Sequence, residues 1–451
     1  MRVVHGFEPG KKLLNRRIAW PWDNPPASVR ESTARLFGKQ LTPEAAVTQI
    51  LRDVKVKGDT AVWEYSRMLD GAGALLGGPL EVPREVWREA RKQVSASMFD
   101  ALAFAAERVR AFHESSMPHS WMDNKNGYGE SYIPVERAGL YIPGGTAAYP
   151  STVLMTAIPA RVAGVKEIVV CSPAREGQWP HPTVLAAADL VGVDRVFRIG
   201  GAQAIAAMAY GTESVPRADI VCGPGNMFVT LAKKLVWGDV AVDGLYGPTE
   251  TVLIADDTAS PAYCAADLLA QAEHDTLATP ILITTSATMV ERVQVELTKQ
   301  LAKAPRRDIA QKSFDANGVA VVVSTLDEAV DLANMYAPEH LCIATRQPWE
   351  YVKKVRNAGA VFIGEETPEV LGDYTAGPSH VMPTSGTARF NSPLGVRQFL
   401  KTTVLVAQDA AGLKHLTDAT VKIAEGEGLH GHAAAAQIRS VVVGSEGKHG
   451  Q

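Results

Sequence analysis

Between residues 140 and 392, short apolar runs rich in Val and Ile alternate with longer Ala-rich amphipathic stretches. The runs fall at 168–171, 196–199, 220–222, 252–255, 281–284, 319–323 and 361–363; helix-length segments such as 184–190, 202–210 and 289–301 fill the gaps. A strand that is apolar on both faces must be covered on both, which is the condition of a parallel sheet between helical layers. The spacing predicts an α/β fold with two Rossmann-like parallel-sheet domains. One spans 140–250. The other is expected to be discontinuous, 41–139 with 251–392, because the helical period over 42–112, broken at 71–83, reads as packing onto the later sheet. Residues 1–40 carry Arg16, Arg17, Pro21, Pro25 and Pro26 without clear periodicity and read as an extended arm. After Pro393 the alternation stops, so 393–451 reads as a helical tail with a frayed end.

Composition narrows the class. The chain has 451 residues, 46% hydrophobic and 21% charged, a folded globular balance and long enough for several cores. A formal net charge of −4 without a long basic block argues against a nucleic-acid binder. No uncharged apolar run reaches the roughly 18 residues of a membrane span, and the opening MRVVHGFEPGKK lacks the apolar stretch of a signal peptide. The expected location is the cytoplasm. Cys171, Cys222, Cys264 and Cys342 lie far apart with no CxxC pair, so they read as buried thiols and not as a disulfide frame or thiolate zinc site.

Five groups of residues carry chemistry. In 260–274, SPAYCAADLLAQAEH, Ser260 stands at an N-cap position and Pro261 at the first helical position. Gln271 and His274 then share one face of the helix's C-terminal end and can offer two donors to a metal, although a polar helix end in solvent is the plainer reading. In 336–341, YAPEHL, Pro338 disfavours helix at Ala337 and puts Glu339 and His340 at a turn or at the start of a new element. Adjacent carboxyl and imidazole groups can divide proton-transfer work; a helix-start Glu beside a surface His gives the same pattern. In 371–384, LGDYTAGPSHVMPT, Asp373 and His380 are expected in an irregular loop beyond a strand, where α/β proteins place ligands. Asp373 as a turn residue fits equally. In 425–432, EGEGLHGH, Glu427 can join His430 or His432, and spacing does not choose between the histidines. The last group is the glycine-bearing turns GLYIPGG (139–145), GGAQ (200–203), GPGN (223–226) and GPTE (247–250). Those at Gly200 and Gly223 follow a strand and precede a helix, a place suited to phosphate. None matches G-x-G-x-x-G or a P-loop. Gln, His, Asp and His together are nitrogen and oxygen donors suited to zinc.

In this order the motifs resemble the histidinol dehydrogenase family over nearly the whole chain, to about Arg439. The likeness rests on GLYIPGG, RIGGAQAIAAMAYGTESVP (198–216), GPGN, GPTE, DLLAQAEHD (267–275), YAPEHL, GDYTAGPSHVMPT (372–384) and EGLHGHA (427–433). It implies oxidation of L-histidinol to L-histidine through L-histidinaldehyde, with two NAD⁺ and one water, in a homodimer with shared active sites. By the same resemblance one zinc per subunit is bound by Gln271, His274 and Asp373 together with His432 of the partner subunit, which selects His432 over His430. Glu427 of the partner subunit would meet the substrate amine, and Thr249 and His380 would line the substrate site with His340 and the metal ligands. Tyr141, Gln203 and Asn226 match NAD contacts that do not use the glycine fingerprint, which accounts for its absence. His340 would take the alcohol proton as hydride leaves, Glu339 would activate the water that hydrates the aldehyde, and His340 would act again. The N-terminal arm and C-terminal tail are expected to be swapped between subunits.

Four features depart from the family pattern. Tyr246 stands where alanine is common, Ser379 where asparagine is common, and Thr249 replaces a frequent serine while keeping the hydroxyl. Residues 174–182 read as a lengthened surface loop. A related zinc and NAD dehydrogenase of another small polar alcohol, such as a sulfonated diol, shares the fold, but Glu427 suits an amine and would repel a sulfonate. A zinc hydrolase also fits a metal with Glu and His, yet HExxH does not occur. Intact candidate ligands and bases argue against a catalytically silent scaffold.

Overall fold

The computed structural model describes residues 1–16, 20, 22–23, 25, 27–70, 78–144, 148–174 and 179–446. Arg17, Pro21, Pro26, Gly145, part of the 174–182 loop and the last five residues lie outside them. In chain order the strands are β1 (Arg2–His5), β2 (Trp121–Asp123), β3 (Tyr128–Pro134), β4 (Arg137–Tyr141), β5 (Glu167–Cys171), β6 (Arg195–Phe197) and β7 (Ile220–Cys222). There follow β8 (Ala241–Val242), β9 (Glu250–Ala255), β10 (Thr279–Thr284), β11 (Val319–Val322), β12 (His340–Ala344), β13 (Ala360–Ile363) and β14 (Leu400–Val406).

Two sheets are wholly parallel, as the apolar runs predict. One has the order β6-β5-β4-β7-β8 and the other β1-β11-β10-β9-β12-β13. Leaving β1 aside, each sheet starts from a central strand, adds two strands on one side and then crosses to add two on the other. Leu140 of β4 sits between Val170 and Cys222, and Leu253 of β9 between Leu282 and Cys342. These inner strands are buried along their length because helices cover both faces.

The early helices do not pack where the sequence reading put them. Pro43–Lys57 and Asp59–Asp70 lie on the helix Gly201–Tyr210, while Arg84–Gln93 and Ala96–Ser115 lie on Pro182–Leu190 and Pro150–Ala163. All four therefore belong with the β4–β8 sheet and not with the later one. The reason is in the helices they cover: Pro150–Ala163 and Gly201–Tyr210 are buried on nearly every side, so each needs an outer helical layer. The N-terminal arm is also ordered beyond expectation. It forms β1, paired in register Arg2 to Val319, then the helices Phe7–Leu14 and Ala27–Phe37.

The chain divides into two compact units. Met1–Ser116 with Val135–Phe399 holds both parallel sheets, and Met117–Pro134 with Leu400–Gln451 forms the second unit. The second unit corrects the expectation of a purely helical tail. Its β14 pairs antiparallel with β3, Leu400 opposite Pro134 through Val406 opposite Tyr128, and β2 completes the sheet. The β-branched stretch of β14 favours strand. The helices Ala410–Gly426 and His430–Glu446 then pack on each other. All four cysteines are free and buried, and no described helix is long and apolar enough to cross a membrane.

Candidate active site

Glu339 and His340 stand at the amino-terminal edge of the six-stranded sheet. The helix Leu326–Tyr336 ends on Ala337, which adopts a left-handed conformation (φ 55°), and β12 begins at His340. Pro338 thus separates helix from strand as its chemistry requires. His340 lies opposite Thr251 of β9, so Thr249 and Glu250 reach the same edge. The helix Pro261–Ala272 runs back from β9 and delivers Gln271 there in its last turn, with His274 just past the helix end. Its Pro261 is at the first helical position, but the Ser260 side chain makes no capping bond. The amide N–H of Ser260 is instead held by the Glu365 carboxylate.

Asp373 falls in a short helix, Val370–Tyr374, and not in irregular loop; His380 is in the loop beyond it. That segment folds back from β13, so the site gathers at the amino edge of the sheet, opposite the edge where ligands of open α/β sheets are expected. The Thr251 hydroxyl donates to Glu369 Oε2 at 2.5 Å and the Cys342 thiol approaches the same oxygen at 3.6 Å. The sequence reading missed Glu369, which lies in a polar stretch with no distinguishing spacing. Its carboxyl is buried 4.0 Å from His340 Nδ1.

Burial sets the electrostatics. It pushes the Glu339 carboxyl well above the usual carboxylate range, although the Thr249 hydroxyl (2.6 Å) and the Glu250 N–H (3.1 Å) both donate to its Oε2. His340 is driven the other way, to about 3, first by burial and then by His274 and His380 nearby. It is therefore neutral, and among the described residues neither ring nitrogen has a hydrogen-bond partner. An imidazole in this state can accept a proton from a bound group, while burial also holds the neighbouring Glu369 carboxyl well above the usual carboxylate range. His380 is lowered to about 4 by burial; its Nε2 contacts the Thr152 hydroxyl at 3.1 Å and its Nδ1 the Asp373 carbonyl at 2.9 Å. Ser379, one of the departures, anchors this loop: its hydroxyl donates to the Met155 carbonyl at 3.0 Å and accepts from the Val381 N–H.

Gln271 is buried between Glu250, Glu369 and Thr249. In the amide orientation that satisfies its neighbours, its nitrogen donates to Glu369 Oε1 at 3.0 Å and its oxygen accepts from the Glu250 N–H at 2.8 Å. Glu250 is itself pinned by Arg16 of the arm, whose guanidinium lies 2.6 Å from Oε2 and stacks 3.6 Å above the Tyr336 ring. Burial raises Asp373 to about 7. Among the described residues no three His, Cys, Asp or Glu side chains converge as a metal cluster. Glu427, at the end of the helix Ala410–Gly426, and His432, in the helix His430–Glu446, belong to the second unit and are exposed there, as is His430.

A second crevice, of about 590 Å³, opens at the carboxyl edge of the five-stranded sheet, where β4 and β7 diverge. This is the switch point at which open α/β sheets bind ligands. Tyr141, Gly201 and Asn226 line it. The Tyr141 hydroxyl accepts from the Gly201 N–H at 3.1 Å, and Asn226 caps its own helix by accepting from the Phe228 and Val229 N–H groups. Gln203 does not line the crevice. It is buried, 3.5 Å from the Ser66 hydroxyl, and its oxygen has no partner among the described residues. The turn at Gly223 is clamped from below: Lys233 donates to its carbonyl at 2.9 Å, and Asp243 accepts from its N–H at 2.7 Å. Tyr246, another departure, is buried with its ring 4.4 Å from the Lys233 ammonium.

A family model described as histidinol dehydrogenase matches residues 37–440. Histidinol dehydrogenase of Dehalococcoides mccartyi (strain ATCC BAA-2266 / KCTC 15142 / 195) is 47% identical over 443 residues, 97% of this chain and 100% of that relative. The Deinococcus radiodurans protein of the same name is also 47% identical, over 97% of this chain and 100% of its own length. Among solved structures, histidinol dehydrogenase from Elizabethkingia anophelis superposes with a TM-score of 0.90 at 32% identity, covering 98% of this chain and 99% of that one.

Proposed function

The chain belongs to the histidinol dehydrogenase family, and from that premise we propose that its buried Glu339–His340 pair carries the proton transfers in a two-step oxidation of L-histidinol to L-histidine. The enzyme is an oxidoreductase of histidine biosynthesis. The observation that carries the mechanism is the buried, neutral His340 imidazole, which has no hydrogen-bond partner among the described residues and stands next to Glu339 in the chain. His340 takes the proton of the alcohol as hydride leaves its carbon, giving L-histidinaldehyde. Glu339, once ionised, takes a proton from the water that adds to the aldehyde; its raised affinity for protons makes the carboxylate a stronger base than an exposed one. Once His340 has released its first proton to solvent, it takes the proton of the hydrate as the second hydride leaves. Thr249 and the Glu250 N–H fix the Glu339 carboxyl for that role.

Gln271, His274 and Asp373 would bind zinc, and the donor set fits it: one imidazole, one carboxylate, one amide oxygen and no thiolate. The Gln271 oxygen accepts from the Glu250 N–H and lies against the Thr249 hydroxyl, whose proton goes to Glu339, so an ion at this oxygen would have to displace that hydroxyl. When bound, zinc supplies charge that orients the substrate's amine and imidazole, and NAD⁺ supplies the hydride acceptor. The ion's coordination is completed in this reading by His432 of the partner subunit, and the substrate amine meets Glu427 of the partner subunit. The second unit supports a homodimer, since it exposes Leu416, Ile423, Leu429 and Ile438. The open crevice beside Tyr141 and Asn226 supports NAD as the dinucleotide. Four free thiols support a reducing, cytoplasmic setting.

NADH formation from L-histidinol and NAD⁺ should vanish with a chelator and return with added zinc. His340→Gln should lower turnover by roughly 10²–10⁴-fold while metal analysis still finds zinc. Unchanged turnover in that variant removes His340 from the mechanism.

A further inference from the structure

The match to the family begins at residue 37, where the helix Ala27–Phe37 ends, yet this helix forms one wall of the crevice at the carboxyl edge of the five-stranded sheet. We propose that this N-terminal helix is part of the dinucleotide site and that Arg35 is the cation facing the pyrophosphate. The inference rests on the assignment of that crevice to NAD.

A dinucleotide brings two negative charges into a crevice whose sheet-side lining carries none of the opposite sign. What the sheet offers is partial charge. Gly200 begins the helix Gly201–Tyr210 without a side-chain cap, and Asn226 begins Met227–Val236 with its oxygen already committed to two N–H groups. Helix N-termini attract phosphate, but each supplies only a fraction of a charge. Among the described residues that line the crevice, Arg35 is the single ionised side chain. Its guanidinium forms no ion pair or hydrogen bond with any described residue, so its donors are free for a ligand. A guanidinium fork matches two phosphate oxygens at once. Leu36 and Phe37, on the same wall, add apolar surface for a base or sugar. The crevice volume of about 590 Å³ is in the range of cofactor sites.

The test measures equilibrium binding of NAD⁺ to the full-length protein, by calorimetry, for the wild type, Arg35→Ala and Arg35→Lys. Arg35→Ala should raise Kd about tenfold, with Arg35→Lys between the two. The affinity of the wild type should fall more steeply with added salt than that of Arg35→Ala, and the KM for NAD⁺ should follow Kd. Circular dichroism should be the same for all three, because Arg35 is exposed. NAD⁺ binding by Arg35→Ala with wild-type affinity and salt dependence overturns the inference. Failure of the wild type itself to bind NAD⁺ overturns the cofactor assignment beneath it.

Discussion

His113 lies in the helix Ala96–Ser115 with 1% of its surface exposed, and neither ring nitrogen has a hydrogen-bond partner among the described residues. Burial lowers it to about 4. The folded protein therefore holds this ring neutral where the unfolded chain would already bind a proton. The stability this gives is complete above the ordinary imidazole value near 6.5 and is lost as pH falls through about 4. The shift corresponds to about 3 kcal/mol. Urea unfolding at pH 7 and pH 4.5 should show that His113→Leu, similar in volume, loses on the order of 2 kcal/mol less than the wild type on acidification. Equal losses would mean that His113 is not a source of the acid sensitivity. His340 and His380 are lowered in the same sense, first by burial.

Elements set the backbone of both sites. The turn after β7 brings Gly223 so close to β4 that an added Cβ would lie 2.2 Å from the Tyr141 carbonyl oxygen, at a φ of +115°. Only glycine meets both conditions. Gly223→Ala should cost about 3 kcal/mol and weaken NAD⁺ binding, because the turn carries the chain into Asn226, which lines the crevice. Gly192 has a φ of +71° with open space around it. Gly192→Ala should cost only about 1 kcal/mol and leave binding untouched. Denaturant midpoints and NAD⁺ titrations compare the two, and similar behaviour would show that strain and not contact governs Gly223. At the other sheet, strand β12 starts directly at His340, so the register of β12 against β9 fixes this imidazole relative to Thr249 and Glu250.

At the scale of the molecule, the exposed Glu427 and His432 belong to a unit separate from the one that carries His340, which is how a site shared between subunits would be divided. Mixing inactive variants tests this. If each site combines His340 of one chain with His432 of its partner, a refolded mixture of His340→Gln and His432→Ala chains contains mixed dimers with one intact site. Turnover should recover to about a quarter of the wild type, from half the dimers with one of two sites each. If each chain completes its own site, no mixture recovers.

The amino-acid sequence determined the parallel sheets and the order of the motifs. Strands buried on both faces must be continuously apolar, and the chemistry of Pro338 separates helix from strand whatever surrounds it. It also carried the residue types of the candidate site, since Glu339, His340, Gln271, His274 and Asp373 can be read as possible donors and bases before any folding is known. Tertiary structure alone decided that the early helices cover the β4–β8 sheet, that β14 pairs with β3, and that Glu339 and His340 lie at the amino edge of their sheet. Glu369 was invisible for the same reason. Its part depends on meeting Thr251, Cys342 and Gln271, residues 27 to 118 positions away in the chain, and local pattern holds no record of such meetings.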